Sequence, residues 1–206
     1  FGTYQKTSGT DYWSYATDFD GASLGGSSRK AQVRIASGAT TTFTGGALQM
    51  VGVSGNKTEI ANQGSGTYAL RMLGGTFNAY QYSFTNLDAV GLALQGTTTV
   101  SSLSEGSFSL AVNGGALISL ASTTLNYNAG LLVMNTSFAT TSAITGYNVA
   151  LTGSTLNAWT FTGHSGNLAG EAFDFDGGDQ CGSVRWDNSL CLLTQQSGHR
   201  LRADNG

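Results

Sequence analysis

Two segments of the chain place carboxylates on either side of an aromatic residue and end in glycine: Asp18-Phe19-Asp20-Gly21 and Asp174-Phe175-Asp176-Gly177, the second continuing to Asp179. Carboxylates at alternate positions beside a glycine turn can wrap a hard cation such as Ca2+, which takes six to eight oxygen ligands. Asp174, Asp176 and Asp179 are therefore candidate metal ligands, and a structural calcium ion is the one cofactor these residues suggest. Neither segment is an EF-hand, because the bidentate Glu at loop position 12 is missing from both. The alternative is a set of acidic turn residues satisfied by Arg185, Arg200 or water.

Paired carboxylates also serve glycoside hydrolysis, about 5–5.5 Å apart for retention and about 6.5–9.5 Å for inversion. In the central part of the chain the only acids are Glu59, Asp88 and Glu105. Asp88 and Glu105 lie about one repeat apart, close enough to face each other if the repeats stack. No Lys or Arg occurs between Arg71 and Arg185, so most of this stretch lacks the basic residue that abstracts a proton in lyase chemistry. His164 and His199 have no partner at a diagnostic spacing, and no Ser-His-Asp order stands out among so many serines. We read both histidines as turn or cap residues. No phosphate-cradling Gly-x-x-x-x-Gly-Lys-Ser/Thr loop is present. Tyr80, Tyr82, Tyr127 and Tyr147 are candidate stacking platforms for sugar rings, with core packing as the competing role. Threonine clusters (Thr40–Thr42, Thr97–Thr99, Thr123–Thr124, Thr140–Thr141) would suit an ice-binding face only if they stacked, and their separations do not match the repeat described next.

An apolar residue, six variable residues and a second apolar residue recur at Leu87/Leu94, Leu103/Leu110, Leu125/Leu132 and Ile144/Leu151. The second anchors are 16, 22 and 19 residues apart, with Asn or Gly within three residues of each. Short β-rich runs such as AQVRIA, YALRML, SFSLAVNGG and YNVALTG alternate apolar and polar positions, the period of two that marks strands. Gly or a Ser/Thr cluster interrupts every window long enough for an ordinary helix. A strand-rich repeat of about 20 residues fits a parallel β-solenoid. The irregular spacing points to turns of variable length, as right-handed parallel β-helices tolerate. The expected interior ladders are Leu94, Leu110, Leu132 and Leu151, and Leu87, Leu103, Leu125 and Ile144. About seven coils at the ~4.8 Å strand spacing make a rod of roughly 35 Å. An antiparallel β-sandwich is the alternative fold, but it leaves the seven-residue offset unexplained.

Composition narrows the function. The chain has 206 residues, 40% of them hydrophobic, enough for one domain with a sizeable core. Charged residues make up only 10% and the net charge is −3, against about 25% charged in an ordinary domain. The one tight basic cluster is Arg29, Lys30 and Arg34, so a nucleic-acid partner is not expected. No apolar stretch approaches the ~20 residues of a membrane-spanning helix, and membrane insertion is not expected either. Opening on Phe1 without a methionine or signal peptide, the sequence reads as a processed or excised piece. We divide it into an N-terminal linker and capping segment (1–29), the solenoid (30–163) and a C-terminal cap with a hairpin (164–206), where charge returns abruptly. A polar cover of this kind protects the open edge of a terminal coil.

The closing run carries a resemblance. From Asn157 onward, and above all in Gly-x-Val-x-Trp-Asp-Asn-Ser (Gly182 to Ser189) and Arg-x-Arg-x-Asp-Asn-Gly (Arg200 to Gly206), the sequence resembles the end of right-handed parallel β-helix (pectin-lyase-like) modules. Such modules occur in large bacterial secreted and cell-surface proteins. The resemblance covers the last ~50 residues and implies an extracytoplasmic structural or adhesive module within a longer chain. It does not assign a ligand. In that setting Cys181 and Cys191, the only cysteines, flank a hairpin-like GSVRWDNSL and are expected to form a disulfide. A two-residue turn at Asp187-Asn188 would instead face Cys191 with Val184, so the bond needs a wider loop or a bulge. Two buried thiols are the alternative.

The expectation is thus an all-β, right-handed β-solenoid acting as a non-enzymatic extracellular or cell-surface module: a stalk, adhesin segment or fibre subunit. Its partners would be copies of itself, neighbouring modules or surface glycans. The competing class is a carbohydrate-active β-helix protein that binds or cleaves polysaccharide.

Overall fold

The computed structural model describes residues 3–6, 10–14, 32–140, 144–176 and 182–187. In chain order, the first turn carries β1 (Thr3–Lys6), β2 (Thr10–Ser14) and β3 (Gln32–Ala36), and the second β4 (Thr40–Phe43), β5 (Ala47–Val51) and β6 (Thr58–Gln63). The third carries β7 (Tyr68–Met72), β8 (Thr76–Tyr80) and β9 (Tyr82–Thr85), and the fourth β10 (Leu87–Leu94), β11 (Thr99–Ser104) and β12 (Ser107–Leu110). The fifth is β13 (Ala116–Ala121), the short helix α1 (Ser122–Tyr127), β14 (Leu132–Met134) and β15 (Ser137–Thr140). Then come β16 (Tyr147–Thr152), β17 (Trp159–Thr162), a single 3-10 turn at Glu171–Phe173, and β18 (Val184–Trp186).

These strands stack into a parallel β-solenoid of about five turns. The first sheet runs β1-β4-β7-β10-β13-β16, the second β2-β5-β8-β11, and the third β3-β6-β9-β12-β15. A shorter sheet, β14-β17-β18, continues beyond β11, joined to it where Glu105 N donates to Met134 O at 2.8 Å and Met134 N donates to Ser104 Oγ at 3.0 Å. Every pairing between these strands is parallel, which excludes the antiparallel sandwich.

Strict alternation builds the core. β4, β5, β8 and β12 each bury every second side chain. Stacking turns in register converts that alternation into interior ladders. Leu70, Leu92, Ile118 and Val149 form one, and Met72, Leu94, Leu120 and Leu151 another. Under the third sheet lie Ile60, Phe84, Phe108 and Phe138. Phe108 is sandwiched between Phe84 and Phe138, with ring centroids 5.3 and 5.7 Å apart.

The expected ladders need correction. Leu94 and Leu151 do share a ladder, but Leu120 stands between them. Leu110 belongs to the third sheet, opposite Thr140, while Leu132 lies on β14 and is 46% exposed. Leu87 and Leu103 sit on different sheets, Leu125 lies in α1, and Ile144 is in a loop. The true turn is longer than the apparent repeat: Ala47 pairs with Thr76, 29 residues on, and Ile118 with Val149, 31 residues on. Anchors 16 to 22 residues apart therefore advance by less than a turn and land on different faces, and the count is about five turns where seven coils were expected.

Stacking also extends past the central segment at both ends. β1 and β2 pair with β4 and β5, Ala150 bridges to Phe175, and β18 pairs in parallel with β17. The first half of the expected hairpin is thus a solenoid strand. Its second half beyond Asp187, and both Cys181 and Cys191, lie outside the described residues.

Candidate functional site

Asp88 and Glu105 do not form a carboxylate pair. Asp88 lies on the first sheet, in a bulge of β10 between Leu87 and Leu92. Its carboxylate is bridged by the Arg71 guanidinium, which also donates to Gly91 O at 3.1 Å, and it accepts Val90 N–H at 3.1 Å. Both side chains are largely buried, at 18% and 29% exposure. Glu105 stands at the corner between β11 and β12 and accepts the Asn135 amide at 2.6 Å. The two acids therefore occupy different faces, each held by its own partner. Glu59, the third central acid, accepts from Gln32 at 2.6 Å and lies 3.9 Å from Arg34.

That corner has a regular construction. Gln81, Glu105 and Asn135 take left-handed backbone angles (φ 53°, 58° and 52°) in successive turns, followed by Gly163 at 61°. Each amide of the three donates to a carbonyl one turn on: Ser104, Met134 and Thr162. Non-glycine residues pay for this conformation, and the inter-turn hydrogen bonds hold them in it. Lys57 lies near Glu105; its partial burial lowers the ammonium pKa, and the Glu105 charge acts in the opposite sense.

At the C-terminal end Asp174 and Asp176 act as anchors for β18. Asp174 accepts the Trp186 indole N–H at 2.7 Å, and Asp176 accepts Val184 N–H at 2.9 Å while Gly182 packs on its carboxylate. Burial, opposed by the indole hydrogen bond and reinforced by Glu171 and Asp176, pushes the Asp174 carboxyl up to about 7. Asp179 lies outside the described residues. Among the described residues no group of three or more His, Cys, Asp or Glu is arranged to hold a metal ion. His164 follows β17: its Nε2 is 3.0 Å from Asp187 Oδ2, and its ring meets Trp186 edge-on at 4.9 Å. His199 lies outside the described residues.

The four tyrosines do not form one platform. Tyr82 is completely buried: its ring lies against Gly106 and its hydroxyl points at Leu103 O, 3.5 Å away. It is a core residue, and burial raises its phenol pKa far above the ordinary value. The signal for this was available, since Tyr82 and Phe84 alternate with Ser83 and Thr85 and so must point inward together. Tyr147 is 39% exposed and packs beside Phe175. Tyr127 projects from the end of α1, and Tyr80 from the end of β8. The threonine clusters are likewise dispersed: Thr41 is in the core, Thr98 bonds Gln95 O, and Thr124 in α1 bonds Gly96 O.

Around Tyr80 an outward column had no sequence signal. Val51 is its cross-strand neighbour on β5, and Ser104 faces it on β11. Met134 follows, its amide bonded to Ser104 Oγ. Val51, Tyr80 and Met134 are 38%, 45% and 43% exposed. Gln49 and Asn78 are paired beside them, half-exposed on the same side of the sheet.

Compared with protein-family models, curated proteins and solved structures, the chain matches none. The fold and the side-chain geometry therefore carry the functional argument.

Proposed function

We propose that this chain is a rigid, non-catalytic β-solenoid module of an extracellular or cell-surface protein, with a structural or adhesive role. The observation that carries this reading is the commitment of its carboxylates. Asp88 and Glu105 lie on different faces, each accepting from its own donor (Arg71 and Asn135), and Asp174 and Asp176, neighbours at the C-terminal end, are each bonded to β18 through Trp186 and Val184. General acid–base chemistry on a glycosidic bond needs two such groups facing one substrate.

Low charge supports the same role. A weakly charged rod covered in Ser, Thr and Asn meets little like-charge repulsion when it packs against copies of itself or neighbouring modules. Repeated docking of this kind is heterologous and builds filaments. Electron microscopy of the natively isolated protein tests the reading: short rods or periodic filaments are expected. A polysaccharide panel supplies the opposing result. Cleavage that is lost in Asp88→Asn or Glu105→Gln would replace this proposal with a hydrolase or lyase.

A further inference from the structure

We propose that His164 and Asp187 form a proton-operated clasp: with the imidazole protonated it holds β18 on the end of the solenoid, and deprotonation loosens the strand. The inference adds a regulatory device to the fold and does not depend on the structural or adhesive reading. β18 spans only Val184–Trp186. Its flanks are tied to β17, where Trp159 N–H donates to Ser183 O at 2.9 Å and Asp187 N–H donates to Phe161 O at 3.0 Å. With so few ladder bonds, side chains decide whether the strand stays. Asp187, which closes it, has a left-handed backbone (φ 45°), a conformation that costs a residue bearing a Cβ. Its carboxylate lies 3.0 Å from His164 Nε2, and the same imidazole packs edge-on against Trp186 at 4.9 Å. One histidine thus grips the last two described residues.

The charges at this junction fix the direction of the response. Histidine loses its charge between about pH 5 and pH 8, so its attraction for Asp187 is present in mild acid and lost as pH rises. Asp174, bonded to the Trp186 indole, acts in the same sense. Burial raises its carboxyl to about 7, against the indole hydrogen bond and together with Glu171 and Asp176, so it too becomes charged in a crowded acidic setting as pH rises. Arg185, the cation on β18, donates to Gly182 O at 3.2 Å. Loosening would leave Trp159 N–H and Phe161 O without their strand partners and uncover Phe161 and Phe138, against which Trp186 packs. An uncovered strand edge is a template for pairing with another chain. The clasp therefore sets the pH at which this end of the rod opens to such pairing.

Amide hydrogen exchange of the full chain, followed by mass spectrometry and corrected for the intrinsic pH dependence of exchange, tests this at pH 5.5 and pH 8. Protection of the segment 183–187 should fall by about tenfold between the two, because both groups change charge there. His164→Asn and Asp187→Asn should each reduce that ratio by about threefold, a modest effect because solvent screens a pair whose Asp187 side chain is 60% exposed. The double variant should lose no more than either single one, since both remove the same contact. Unchanged protection of β10 in every variant shows that the rod is folded. Protection of 183–187 that does not respond to pH would overturn the clasp. So would an undiminished ratio in both single variants, which would assign the response to Asp174 alone, or single effects that add in the double variant.

Discussion

The Trp186 indole donates to Asp174 at 2.7 Å, and this contact joins the last described strand to the turn that precedes it. The same ring stacks on Phe161 at 4.6 Å and meets Phe138 edge-on at 5.3 Å. The Asp174 carboxyl, raised by burial from 3.8 to about 7, makes this junction sensitive to pH. Below pH 3.8 the acid is protonated folded or unfolded. Between about 4 and about 7 the unfolded chain has lost a proton that the folded chain keeps, so stability falls as pH rises through that window and stays at its lower level above it. Asp174→Asn preserves an acceptor for the indole and removes the titration. Melting at pH 5 and pH 8 should therefore show a smaller difference in Asp174→Asn than in the parent chain; equal differences would refute the assignment.

Phe108 sits in the middle of the aromatic ladder, 2% exposed. Phe108→Ala should cost about 3–5 kcal/mol, because neighbours fixed by strand register on both sides cannot collapse into the space. Phe108→Leu should cost less. Denaturant unfolding of both variants measures the difference.

Gly106 lies directly against the Tyr82 ring, and a Cβ there would overlap it. Gly106→Ala should destabilise by about 1–3 kcal/mol through overpacking. Combining it with Tyr82→Leu should recover part of that loss. A double-mutant cycle with zero coupling would show that the clash is relieved elsewhere.

Arg71 holds the β10 bulge through Asp88 and Gly91 O. Arg71→Ala should cost about 1–3 kcal/mol, since it strips a partly buried carboxylate of its charged donor. Asp88→Asn should cost less, because the amide oxygen still accepts from Val90. Thermal melts of the two variants give the comparison.

Part of the candidate surface was legible in the chain. Tyr80 and Tyr127 are exposed aromatics, as a polar, strand-rich sequence suggests. Tyr82 is not, and its place in the period-two pattern YSFT already marks it as an inward residue. Val51, Met134, Gln49 and Asn78 come from four separated positions on three strands that are brought side by side only by stacking.

Local physics was enough to specify the class of fold. Alternating apolar residues, β-branched runs, frequent Gly and Asn punctuation and the lack of any long helix window dictate short strands, and their repetition dictates a stacked parallel array. The length of a turn was not local information. Seven-residue spacings between apolar anchors recur because neighbouring strands within one turn use the same alternation, so the sequence does not reveal which strand lies above which. Register is settled by the summed burial of ladders such as Leu92, Ile118 and Val149. That register alone separates Asp88 from Glu105, joins Asp88 to Arg71, and lines up Val51, Tyr80 and Met134 on one face.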